Sequence, residues 1–242
     1  MTDLSRRTLL KGAGVVGAAS TVPAAAQHAA DHAPPGLHTR QNTNPNYRFF
    51  NAVEAAFVEA AVERLIPADP QWPGALAAGV PVFIDRQLAG PYGRGETLYL
   101  AGPWKQGTTE QGYQLRLSPA ELYRTSLERI GQSSNEGKTF HQRSGDEQDA
   151  FLRRLEAGDL DLGGFSSAIF FETLLANTVE GFFADPAYGG NRDKAGWRMV
   201  GFPGAYAAFL QLYTHHGMTF DREPLGMDEH TGAHPVVHTI GR

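Results

Sequence analysis

Three histidines near the C-terminus, His230, His234 and His238, stand at four-residue intervals. On a helix that spacing would set all three imidazoles on one face, where they could ligate a zinc-like ion. Gly232 and Pro235 interrupt the stretch, and neither suits a helix interior, so a polar tail is the favoured reading. His28, His32 and His38 form a looser tract in a polar, proline-containing segment, and His215 and His216 are adjacent, so a helix would point them apart. The acid–base candidates are Asp69, Asp85, Asp185 and Asp193. No spacing pairs two of them, and Asp69 and Asp185 each precede a proline, where a carboxylate commonly closes a turn or caps a helix. Nucleophilic catalysis lacks its usual marks, because the chain has no G-x-S-x-G elbow and no cysteine. Without cysteine it cannot hold a covalent c-type haem or an iron–sulfur cluster on its own thiolates, nor close a disulfide.

The segment Ser5–Lys11, SRRTLLK, resembles the twin-arginine (Tat) translocation motif through Ser5, Arg6, Arg7, Leu9, Leu10 and Lys11, with Leu9 where Phe is usual. A small-residue apolar stretch follows to Val22, and cleavage after Ala26 would leave Gln27 as the new N-terminus. Gly12–Gly17, GAGVVG, matches the dinucleotide pattern G-x-G-x-x-G. That pattern needs a strand before the turn and a helix opening after it. Here a basic segment precedes it and a cleavage site follows, so it belongs to the signal. The Tat route carries folded proteins, usually ones loaded with a cofactor, yet nothing in this chain requires one.

The elements that must position any site come from 242 residues with a net charge of −5, which leaves no basic footprint for nucleic acid. A hydrophobic content of 41% indicates a globular body, and 28 glycines with 15 prolines indicate long ordered loops between modest helices. Residues 27–48 read as a flexible or extended arm. Asn51 with Glu54 opens the first helix as a capping box, and Phe57, Ala61 and Leu65 continue one apolar face until Pro67. Pro81 opens a second helix to about Leu88, Ser118-Pro119-Ala120-Glu121 a third, and Ser144 with Glu147 a fourth. Ser166 to about Phe183 is the most apolar helix, and a last short one is expected from Ala205 to Tyr213. No alternating run makes a sheet. The fold is therefore expected to be mainly α, one compact helical domain over 49–217, preceded by the signal at 1–26 and the arm at 27–48, and followed by an extended tail at 218–242.

Two long segments have no sustained period: residues 89–117, and Asp185 to Gly204, DPAYGGNRDKAGWRMVGFPG. Loops of that length in a compact domain are usually functional. In the second, Trp197, Met199 and Phe202 either pack on the phenylalanine-rich helix before them or project as anchors, and Arg, Tyr and Trp in a rigid Gly/Pro frame suit a protein interface.

Four blocks, Arg64–Gly93, Gly102–Gln114, Leu117–Arg124 and Phe170–Ala205, together resemble the gluconate 2-dehydrogenase subunit 3 family. The resemblance implies a non-catalytic small subunit that binds no cofactor itself. Its implied partners are an FAD-bearing dehydrogenase large subunit, a multihaem cytochrome c subunit and the Tat translocase, with no nucleic acid. It would support folding, assembly and Tat co-export of the flavoprotein, and reside in the periplasm, held at the cytoplasmic membrane through the complex. On this reading Tyr92, Trp104, Tyr188, Asn191, Arg192, Trp197 and Phe202 are the residues expected at the partner interface. The alternatives are an independent periplasmic metal-dependent enzyme using the histidines and aspartates above, and a stand-alone periplasmic binding protein.

Overall fold

The computed structural model describes residues 47–105, 107–108, 113–132, 137–206, 214, 216–217 and 222–229. Among them are six α-helices and no strand, only isolated bridges at Asp161–Ser166 and Gly204–Leu225. This bears out the mainly α expectation.

Helix α1 (Ala52–Leu65) begins as its cap dictates: Asn51 Oδ1 accepts the N–H groups of Val53 and Glu54, and Glu54 accepts the N–H of Asn51. Helix α2 (Val80–Ala89) has Pro81 in its first turn. Helix α3 (Pro119–Gln132) starts from Ser118, whose N–H donates to Glu121, and helix α4 (Gly145–Glu156) has the full Ser144–Glu147 box. Helix α5 (Ser167–Phe183) is capped by Ser166.

Helix α5 is the central member and touches α1, α2, α3 and α4. Its buried Phe170 joins an aromatic cluster with Phe50, Phe57, Tyr123, Phe140 and Phe151, with neighbouring centroids between 4.6 and 6.5 Å apart. Burying each such ring stabilises the fold by roughly 1.5–3 kcal/mol before conformational entropy is counted. Gly181 sets how closely α2 can approach, because a Cβ there would lie 2.7 Å from the ring of Phe83.

Residues 47–50, the entry segment, lead into α1. The carboxylate of Asp85, 1% exposed, accepts the backbone N–H groups of Arg48, Phe49 and Phe50. Arg124 on α3 pairs with Glu54, donates to the carbonyl of Phe49 and lies over the Phe49 ring. Tyr47 is buried and bonds Glu59. Tyr47 and Arg48, the last two residues of the segment expected to be an arm, are thus held by Glu59 and Asp85.

One expectation is corrected. Residues 185–204 read as loop because of their glycines and prolines, yet Ala195–Val200 forms a short helix, α6, packed on α5. Of the segment expected as a tail over 218–242, residues 222–229 are described: Leu225 pairs with Gly204, and Met227–Glu229 form a 3-10 turn. Most of the helix expected over Ala205–Tyr213 lies outside the described residues.

Candidate docking surface

Helix α5 ends with backbone carbonyls that have no partner within the helix. The loop after it supplies two. Asn191 Nδ2 donates to the carbonyl of Ala184 at 2.8 Å, and the indole N–H of Trp197 donates to the carbonyl of Phe183 at 2.7 Å. Asn191 Oδ1 also accepts the N–H of Gly196, at 2.8 Å, which starts α6. The backbone N–H of Arg192 donates to Ala78 and ties the same turn to the entrance of α2.

This seating demands close backbone contact. A Cβ at Gly190 would lie 2.1 Å from the carbonyl oxygen of Gly181, and one at Gly196 would lie 2.2 Å from that of Phe182. Asn191, Asp193 and Lys194 all hold left-handed backbone, with φ of 47°, 56° and 55°. Asn and Asp enter that region more readily than other non-glycine residues, whereas Lys194 holds it where its surroundings impose it. The loop's backbone is thus constrained at several points.

The seven expected interface residues separate on this frame. Tyr188 is 49% exposed and Phe202 46% exposed, the latter edge-on to Trp197 with ring centroids 5.2 Å apart. Arg192 is exposed while its guanidinium reaches the carbonyl of Ala77. Asn191 and Trp197 are buried. Their polar atoms cap α5, so they shape the surface from beneath instead of forming it. Tyr92 is half-buried, and its hydroxyl donates to Asn177, which in turn donates to the buried Tyr123. Burial pushes both phenols up, so each stays a neutral hydrogen-bonding group. Trp104 is exposed at 42%, on a different segment near Gly102.

Sequence reasoning missed other exposed apolar groups: Tyr99 at 85%, and Val200 and Met227 beside the loop and tail. Spacing carries no mark of them, because exposure depends on contacts between distant segments.

The acid–base candidates have structural work. Asp69 Oδ1 accepts the N–H groups of Gln71 and Trp72, which closes a turn. Asp185 caps residues Pro186–Tyr188, as the carboxylate-before-proline reading anticipated, and it also accepts the N–H of Met227. Asp85 holds the entry segment, and Asp193 is exposed. Among the described residues no group of three or more His, Asp or Glu side chains is arranged to hold a metal. His28, His32, His38, His215, His230, His234 and His238 lie outside the described residues, as do the signal residues Ser5 to Lys11 and the cleavage site. With no strand among the described residues, none of their glycine turns has the strand–turn–helix setting of a dinucleotide site.

A family model described as gluconate 2-dehydrogenase subunit 3 matches residues 52–204, from the first residue of α1 to the glycine that pairs with the tail. The chain belongs to the gluconate 2-dehydrogenase subunit 3 family. A second model, for the twin-arginine translocation pathway signal sequence, matches residues 3–23. No curated protein and no solved structure matches the chain. Family membership makes the protein a subunit of a dehydrogenase complex, and its signal implies export across the cytoplasmic membrane by the Tat pathway. No helix among the described residues is long and apolar enough to cross a membrane.

Proposed function

We propose that this subunit 3 protein is the non-catalytic accessory subunit of a periplasmic, flavin-dependent dehydrogenase of the gluconate 2-dehydrogenase type. It docks on the FAD-bearing large subunit, supports its folding, and carries it through the Tat translocase on the signal at Arg6 and Arg7. A multihaem cytochrome c subunit completes the complex and holds it at the cytoplasmic membrane. The flavin and haem, and with them the redox chemistry, belong to the partners.

One observation carries this reading. Tyr188, Arg192 and Phe202 stand exposed on a loop whose backbone is already locked by Asn191, Trp197 and the close approach of Gly190 to α5. Aromatic and arginine side chains dominate the energetics of protein interfaces. A frame ordered before association loses little conformational entropy on docking. Trp104 and Tyr92, on the preceding loops, extend the proposed contact.

Purification of the tagged chain from its native membranes and periplasm tests the proposal. The expected result is co-purification of a large subunit with flavin absorbance, identified by mass spectrometry as a dehydrogenase. Replacing Arg6 and Arg7 with Lys should then retain both chains in the cytoplasm. A monomer free of any flavoprotein would overturn the reading.

A further inference from the structure

Residues 222–229 lie beyond the 52–204 span matched by the family model, yet they grip the loop that span ends on. At the start of the loop, the N–H of Met227 donates to Asp185 Oδ2 at 2.8 Å. In its middle, the ammonium of Lys194 lies 2.6 Å from the carboxylate of Glu229, which also accepts the N–H of Gly226. On α6, Arg198 pairs with Glu223 at 3.0 Å. At the end of the loop, Ala205 donates to the carbonyl of Leu225 and Leu225 donates to that of Pro203. Gly204 makes this pairing possible, since a Cβ there would lie 2.2 Å from the carbonyl oxygen of Leu225.

Lys194, like Asn191 and Asp193, holds left-handed backbone. Such backbone persists only when its surroundings over-determine it. Asn191 and Trp197 supply that constraint from below, and the 222–229 segment supplies it from outside. Its outer contacts are solvent-facing, with the side chains of Glu229 and Glu223 42% and 80% exposed. Segments held mainly by exposed bonds open at lower free energy than packed helices.

We infer that residues 222–229 form a strap that locks the 185–204 loop, so that release of the strap lets the loop relax while α1–α5 stay folded. The strap is then a catch controlling the shape of the exposed aromatic surface. This inference does not rest on the docking proposal, because it concerns the chain alone.

Hydrogen exchange on the full chain tests it, with Leu225→Pro and Glu229→Gln combined. The first removes the N–H given to Pro203, and the second removes the charge facing Lys194. The amides of Arg192, Gly196 and Phe202, bonded to Ala78, Asn191 and Trp197, should exchange at least about tenfold faster, with α1, α3 and α4 unchanged. Unchanged loop amides alongside a deprotected 222–229 segment would make the strap a passenger and overturn the inference. Equal acceleration throughout the helices would overturn it too, by making the segment part of the global fold. If the proline variant does not accumulate, Glu223→Gln with Glu229→Gln removes both ion pairs without touching the backbone, and the same criteria apply.

Discussion

The buried carboxylate of Asp85 accepts the backbone N–H of Phe50 at 2.9 Å across 35 residues of sequence, and the same side chain holds the N–H groups of Arg48 and Phe49. A side chain of α2 thereby replaces the partners a strand or helix would give to three successive amides. It fixes the segment that leads into α1. Asp85→Ala leaves those donors unpaired in a dry site and should cost roughly 3 kcal/mol or more. Asp85→Asn keeps one acceptor oxygen and should cost less. Urea denaturation of the two variants checks the order, and equal stability would show that water replaces the carboxylate.

Two glycine substitutions should act in opposite directions. At Gly190 a Cβ meets the carbonyl oxygen of Gly181 at 2.1 Å, backbone against backbone, so Gly190→Ala must displace the loop. A loss of roughly 2 kcal/mol or more is expected, in the range of overpacked sites. At Gly131, inside α3, a Cβ meets nothing within 4 Å, so Gly131→Ala should stabilise by about 0.5–1 kcal/mol through the unfolded chain and helix propensity. Thermal melts of both variants decide the matter.

Arg64 and Asp149 join α1 to α4 through two nitrogen–oxygen contacts of 2.7 Å. The guanidinium holds the Asp149 carboxyl below its ordinary range. Because the folded value is depressed, the contribution is complete above the unfolded value of about 3.9 and is lost as pH falls through the lower folded one. Both side chains are partly solvated, so Asp149→Asn should cost about 1 kcal/mol or less at neutral pH. The gap between the two proteins should close as pH falls below about 3.9. A gap that persists in more acidic solution would assign the effect to packing.

The docking proposal separates surface from frame. Tyr188→Ala and Phe202→Ala should leave the melting temperature nearly unchanged while weakening capture of the flavoprotein at least about tenfold each, as expected of interface anchors. Asn191→Ala should do the reverse in the isolated chain. It leaves Ala184 and Gly196 without partners and forces alanine into left-handed backbone, at a cost of roughly 3 kcal/mol. Undiminished capture by the Tyr188 and Phe202 variants, measured by quantitative pull-down, would remove this face from the interface.

The starts of α1, α3 and α4 were legible because a cap is local: Asn51, Ser118 and Ser144 each stand three residues before the glutamate that answers them. The apolar period of the helices and the Tat signal are local in the same sense. The short helix α6 was not legible. It forms because Asn191 reaches back to Ala184 and forward to Gly196, inside a stretch whose glycines suggest only turns. The surface was legible in part. Tyr188 and Phe202 lie outside, whereas Trp197, equally aromatic, is drawn in by the unpaired carbonyl of Phe183.

The sequence by itself determined the helical class, the caps and the export signal, since each depends on residue types within a few positions of one another, and the family, since its blocks are read from residue order alone. Tertiary structure alone decided that Asp85 holds the entry segment, that Asn191 and Trp197 cap α5, and that residues 222–229 close over the loop. Those outcomes depend on which buried donors and acceptors are left without partners once the helices pack, a condition that no single segment contains.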